Sequence, residues 1–321
     1  MRKYVSIALT TLFVFAFGFA DAQGYTFRVL ANKGQNKVKK AGSSSAVPLK
    51  TGATLNGDDQ LITSDGAYIG LMHKTGKTLE VRTKGTQKVS DLEKKVNTKT
   101  TSVTSRYAQF LANKMNEKET PGYRSRLNAT GAAKRALGGD EVIQVLIPVD
   151  AEESVAIGDN AIVSWDTPAG MEENTFVVTI KNIFDEEIMK EEVVGNSINL
   201  DFTSEKMQNE EGLYIIKVAA KENMDVTSGD GIAIRKLAGE EAAQYREGLA
   251  TLKDEVAEDS PLSKIIYASF YEENGLIVDA LTAIEEAIKM NPEIDDFKVL
   301  KKDIIERSGI KVYQQETASE E

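Results

Sequence analysis

Residues 260–292 read SPLSKIIYASFYEENGLIVDALTAIEEAIKMNP. Ser260 offers a side-chain oxygen to the free N–H groups of a helix start, and Pro261 suits the first helical position, where its missing N–H is not needed. Asn274-Gly275 breaks this helix and Asn291-Pro292 ends the next. Between those marks, Ala268, Ala280 and Ala287 place small side chains where two antiparallel helices cross closely; larger ones would push them apart. Phe297, Leu300 and Ile304 share one face of a further helix that would cap the pair. Upstream, Tyr245, Leu249, Leu252 and Val256 line a helix expected to end near Asp259. Residues 237–321 are therefore predicted to be helical, with the acidic run from Glu316 to Glu321 frayed at the end.

The set Ala268, Tyr271, Gly275, Ala280, Ile284, Ala287 and Pro292 resembles a single tetratricopeptide repeat over about 260–292. Two positions depart from that pattern: Lys264 stands where an aromatic is usual, and Tyr267 where leucine is. No second copy lies in register upstream. One repeat cannot bury its own faces, so these helices are expected to pack on neighbouring parts of the chain. The resemblance implies a peptide-holding surface on the first helix, with Lys264, Tyr267 and Glu272 as the candidate protein-binding residues.

Residues 141–236 carry about six strand-like runs: Val142 to Val149, Ala161 to Trp165, Thr175 to Ile180, Ser197 to Phe202, Gly212 to Ala220 and Gly231 to Arg235. Turns fall at 158–160, 167–170, 195–196 and 229–231, where Gly, Asp, Asn and Pro gather. Gly212-Leu213-Tyr214 resembles the entry to a late strand of Ig-like sandwiches, in which the tyrosine hydroxyl ties back to the preceding corner. An Ig-like β-sandwich is the expectation for 141–236.

Residues 25–83 also read as short strands. Tyr25, Phe27 and Val29 alternate onto one face, and Ala67–Met72 with Thr78–Thr83 form a hairpin closed by 74–77. In the second arm Leu79 and Val81 point in, Glu80 and Arg82 out. The rhythm of Gly52, Leu55, Asp59, Leu61, Thr63, Ala67, Ile69, Leu71, Gly76, Leu79 and Val81 resembles a FecR-like domain over about 45–80. That resemblance implies a small β module outside the cytoplasm, assigned to residues 23–89. Residues 90–140 are expected to hold a helix presenting Val103, Tyr107, Phe110, Leu111 and Met115, stopped by Thr120-Pro121-Gly122, then a flexible linker over 118–140.

The chain opens with Met1-Arg2-Lys3, an apolar run from Tyr4 to Ala20, and Ala20-Asp21-Ala22, the pattern of a signal peptide cleaved after Ala22. The run is slightly short of the about 20 apolar residues that span a bilayer. A periplasmic or surface location in a Gram-negative envelope is expected, without a direct lipid anchor because no cysteine follows the cleavage point. Cleavage removes Arg2, Lys3 and Asp21 from 39 basic and 50 acidic residues, leaving 37 against 49, a formal charge of −12. Such a balance disfavours nucleic acid and anionic lipid as partners. With no cysteine there is no disulfide, so ordinary apolar cores must hold each part.

Few residues suggest chemistry. Gly76-Lys77-Thr78 lacks the upstream glycine of a phosphate loop, since position 71 is leucine, and a strand follows it where a helix is required. His73, the only histidine, reads as a solvent-side turn residue; Asp58, Asp59 and Asp65 read as turn formers. Trp165 and Tyr214 fall on inward positions of strands, which favours core packing over sugar stacking. No spacing singles out a carboxylate pair for glycoside hydrolysis. The expected whole is a multidomain α+β protein with no cofactor, metal or catalytic residue. Its expected function is non-enzymatic, docking or scaffolding other envelope proteins. The alternatives are a glycan- or solute-binding protein and an envelope sensor signalling to a membrane partner.

Overall fold

The computed structural model describes residues 24–96, 105–107, 110–111, 113–114, 143–149, 154–168, 170–207, 211–256, 259–310 and 312. Residues 1–22, read above as a cleaved segment, residues 118–140, read as a linker, Val103, Met115, the expected stop at 120–122 and the acidic run at 316–321 lie outside the described residues.

The N-terminal β unit is built from β1 (Phe27–Lys33), β2 (Lys37–Lys39), β3 (Val47–Pro48), β4 (Thr54–Leu55), β5 (Gln60–Thr63), β6 (Tyr68–His73), β7 (Thr78–Val81) and β8 (Gly85–Lys88). They make two antiparallel sheets, ordered β4-β1-β6-β7 and β3-β2-β5-β8. The short helix α1 (Val89–Glu93) closes this unit and buries Val89 and Leu92. The expected hairpin is present: Ile69 lies opposite Val81 and Leu71 opposite Leu79, with Val81 buried and Leu79 against the core. In β1 the period of two holds through Phe27 and Val29, which enter the core with Leu55, Leu61, Ile69 and Leu71. Between Val29 and Ala31 the register shifts. Leu30 and Ala31 then join Tyr68 and Met72 in a second core on the other face of the sheet, among the C-terminal helices. Both faces of this sheet are therefore covered.

The second β unit contains β9 (Gln144–Val145), β10 (Val155–Ala156), β11 (Asn160–Asp166), β12 (Thr175–Lys181), β13 (Glu187–Val194), β14 (Ser197–Asp201), β15 (Gly212–Ala220) and β16 (Ile232–Lys236). A five-stranded sheet, β10-β16-β15-β12-β13, faces a three-stranded sheet, β14-β11-β9, across one core. Ala161, Val163, Trp165, Ile198 and Leu200 come from the smaller sheet; Phe176, Val178, Ile180, Ile216, Val218 and Ile234 come from the larger. The Tyr214 hydroxyl donates to the Met207 carbonyl at 3.1 Å, the tie back across the corner read from the sequence. Among the described residues the unit has eight strands where about six were expected. β10 is only two residues long, and β13 carries Glu187, Lys190, Glu191 and Glu192, which mask its apolar alternation.

The C-terminal helices are α2 (Gly239–Glu255), α3 (Pro261–Glu273), α4 (Ile277–Met290) and α5 (Asp295–Arg307). The Ser263 N–H donates to the Ser260 hydroxyl oxygen at 3.2 Å, and Pro261 takes the first position of α3. Ala268, Ala280 and Ala287 are buried where α3 and α4 pack together, and Phe297, Leu300 and Ile304 of α5 enter the same core. α2 stops at Glu255, a few residues before the expected end, with Val256 as its cap. Tyr107 and Leu111 are buried against this layer, the Tyr107 ring edge-on to Phe270 at 5.1 Å.

These helices lie against both β units. Their core takes in Leu30, Ala31, Tyr68 and Met72 from the first, and Leu146, Val155, Ile157 and Leu237 from the second. Two glycines allow the close approach. A Cβ on Gly70 in β6 would stand 2.7 Å from Leu262 Cδ2, and one on Gly158 would stand 2.7 Å from Asp279 Oδ1. The architecture is thus mixed α+β: a β-rich N-terminal part of several sheets and a helical C-terminal part. Among the described residues, no helix is long and apolar enough to cross a membrane.

Candidate functional site

The three residues singled out on the first helix of the hairpin all sit on α3, and each already has work inside the helical layer. Lys264 ion-pairs with Asp259 at 3.0 Å and with Glu286 of α4 at 2.8 Å. Burial alone would lower its ammonium, but the two carboxylates outweigh that and hold it above the usual lysine value. Glu272 receives a two-pronged grip from Arg307 of α5, Nε to Oε1 at 2.6 Å and Nη2 to Oε2 at 2.9 Å, with both side chains largely buried. Tyr267 is half-buried against the shared core, its hydroxyl 3.5 Å from the Val256 carbonyl. A partner reaching this face would meet ion pairs already formed.

A polar seam joins α4 to the second β unit. The buried carboxylate of Asp279 accepts the N–H groups of Ile157 at 2.8 Å and Gly158 at 2.9 Å. Burial pushes its carboxyl up to about 6, against the opposing pull of those two N–H groups, Lys236 and Arg246. Lys236, 0 % exposed, donates to the Ile157 carbonyl at 3.0 Å and lies over the Phe202 ring. Burial lowers the pKa of that ammonium, and Arg246 adds to the effect. One turn along α4, Thr282 accepts the Ile162 N–H at 3.0 Å. Beyond it the Ser164 hydroxyl donates to Glu285 at 2.8 Å, and Lys301 of α5 pairs with Glu285. Serine, lysine and carboxylate are thus in mutual contact, with Lys301 also 3.4 Å from the Ser164 hydroxyl. Ser164 lies within strand β11 and its hydroxyl donates a hydrogen bond to the carboxylate, so the group ties sheet to helices. A matching tie serves the first β unit, where Asp296 of α5 accepts the Asn32 N–H at 2.7 Å and the Thr51 hydroxyl at 3.0 Å. Beside it lies a hollow of about 230 Å³ lined by Asn32, Lys33, Gly34, Glu293, Asp295 and Asp296.

The other sequence candidates are dispersed. His73 is 1 % exposed, which corrects its reading as a solvent-side turn residue. It is the last residue of β6, and its ring packs edge-on to Phe27 while contacting Thr75 at 2.7 Å and Glu93 of α1 at 3.2 Å. Asp59 is a buried turn former. Burial would raise its carboxyl, but the N–H groups of Asn56 and Ala41 and the Lys40 ammonium hold it below the usual range. Asp65 is exposed, and Gly76 turns the hairpin at a positive φ. Trp165 and Tyr214 are buried in the core of the second β unit, not displayed for stacking. Among the described residues, no group of three or more His, Asp or Glu side chains is placed to hold a metal ion.

Sequence reasoning missed an exposed apolar turn. The turn between β12 and β13 holds Ile183 60 % and Phe184 76 % exposed. It is ordered by Asn182. That side chain accepts the N–H groups of Phe184 at 2.9 Å and Glu186 at 3.0 Å, and donates to the Glu186 carboxylate at 2.7 Å. Lys181 pairs with Asp185, which takes a positive φ of 64°. The signal available was an asparagine before two apolar residues and an acidic run, which marks a side-chain-ordered turn once strands on both sides are recognised. No family model matches this chain, and no curated protein matches it.

Proposed function

We propose that this chain is a non-enzymatic, exported protein of the cell envelope that docks other envelope proteins. In this reading the first β unit is FecR-like, the second is an Ig-like sandwich, and the helices are tetratricopeptide-like. Support for the sandwich comes from the two facing sheets and the Tyr214 tie to Met207. Support for the helical assignment comes from the buried alanines and the Ser260 cap. Export rests on the reading of residues 1–22.

The observation that carries docking is the Ile183–Phe184 turn. Two large apolar side chains held in water by an ordered loop gain nothing for the fold, whereas a partner's pocket would bury them at little conformational cost. Lys264, Tyr267 and Glu272 form a second candidate face, on which the half-buried ring of Tyr267 is the anchor. The test is affinity capture from envelope extract with residues 23–321 and with an Ile183→Ser, Phe184→Ser variant, read by quantitative mass spectrometry. A discrete protein set bound by the parent and depleted at least about tenfold by the variant is expected, the scale of one buried anchor. An identical set on both baits contradicts the assignment of this turn.

A further inference from the structure

β13 is the last strand of the five-stranded sheet, and among the described residues it pairs only with β12. The Gly195 N–H donates to the Asn174 carbonyl at 2.8 Å, on the β12 side. Backbone direction alternates along an antiparallel pair, so Val193, Glu191 and Met189 also turn their N–H and C=O groups toward β12. Lys190, Glu192 and Val194 turn theirs to the open edge. The side chains there are mixed: Val194 is 77 % exposed, and Met189 and Val193 are partly buried at the margin of the sandwich core. Lys190 has no ion-pair partner among the described residues, while Glu192 pairs with Lys221 at 2.7 Å.

The geometry points to a second copy of this chain as the occupant of that edge, added antiparallel so that the five-stranded sheets of two copies run on as one. The two-fold axis passes through Glu191 and stands perpendicular to the sheet. In that register Lys190 meets Glu192 of the second copy, and the outward backbone groups of both residues exchange hydrogen bonds. Met189 meets Val193 on the core-side face, and the register shift that leaves Ile188 unpaired with β12 ends the regular pairing there. Each contact occurs twice by symmetry, which gives two apolar pairs and two opposite-charge pairs. Moving the axis one residue toward the N-terminus sets Lys190 against Lys190; one residue the other way sets Glu192 against Glu192. Of these three registers, the one through Glu191 alone sets opposite charges face to face, which favours it. It also leaves Glu191 facing its own copy at the axis, which makes the pairing weak and reversible.

This inference stands apart from the docking role above and fails or survives separately from it. Sedimentation equilibrium of residues 23–321 at neutral pH, over a wide concentration series, should show a monomer–dimer equilibrium. Lys190→Glu should weaken it, Glu192→Lys should weaken it, and the double variant should restore it. Glu191→Gln removes the one like-charge contact without adding bulk and should tighten it by about threefold to fivefold, the scale of one cross-strand pair. Emission from Trp165, inside the same β unit, reports whether each variant keeps its fold. A chain that stays monomeric throughout overturns the inference, as does a dimer whose affinity ignores positions 190, 191 and 192.

Discussion

Asp279 shows how one side chain holds a seam. Its carboxylate is the acceptor for two backbone N–H groups at the start of the second β unit, so removing it leaves both without a partner. Unpaired buried donors cost about 1–3 kcal/mol each, and Asp279→Ala is expected to lower stability by about 2–4 kcal/mol at neutral pH. The cost should depend on pH. A carboxyl raised from 3.8 to about 6 binds its proton more tightly in the folded chain than in the unfolded one. Its contribution is therefore greatest at low pH and falls as pH rises through 3.8 to about 6. Urea titrations followed by Trp165 emission should find Asp279→Ala about 2 kcal/mol more costly at pH 4.5 than at pH 7. An equal cost at both values would mean the carboxyl titrates in its ordinary range. At the same scale His73 was misjudged because its burial depends on Glu93, twenty residues further on, whose helix closes over the hairpin.

At the scale of elements, the contact between β6 and α3 runs through Gly70 and Leu262. Gly70→Ala would press a methyl group into Leu262 and should cost about 1–3 kcal/mol. Pairing it with Leu262→Ala should lose less than the sum of the two single changes, because the shorter side chain makes room for the methyl. Additive losses would place the strain elsewhere. The helices were legible because their marks are local: Ser260, Pro261 and Gly275 act on their own turns, and the alanines follow a fixed spacing. The hairpin of β6 and β7 was legible for the same reason. β13 was not, since an edge strand is free to carry charge on both faces and so loses the period of two. The Ile183–Phe184 turn went unseen with it. The second buried face of β1 was hidden too, because the register shift after Val29 is a property of the strand pair and not of either strand alone.

At the scale of the whole molecule, the helical layer is what both β units share. It covers Leu30, Ala31, Tyr68 and Met72 on one side and Leu146, Val155, Ile157 and Leu237 on the other. Asp296 ties it to the first unit and Asp279, Thr282 and Glu285 to the second. The sequence foretold that a lone helical hairpin needs neighbours, and it offered no means of naming them, since the polar ties join residues more than a hundred positions apart. The first β unit is held to the rest of the chain by these buried contacts and not merely by the covalent connection. A protease site inserted within residues 118–140 tests this directly: after complete cleavage, the two fragments are passed through gel filtration in native buffer and again in denaturant. Co-elution in native buffer with separation only in denaturant is the predicted result, and two separate peaks in native buffer would contradict the claim.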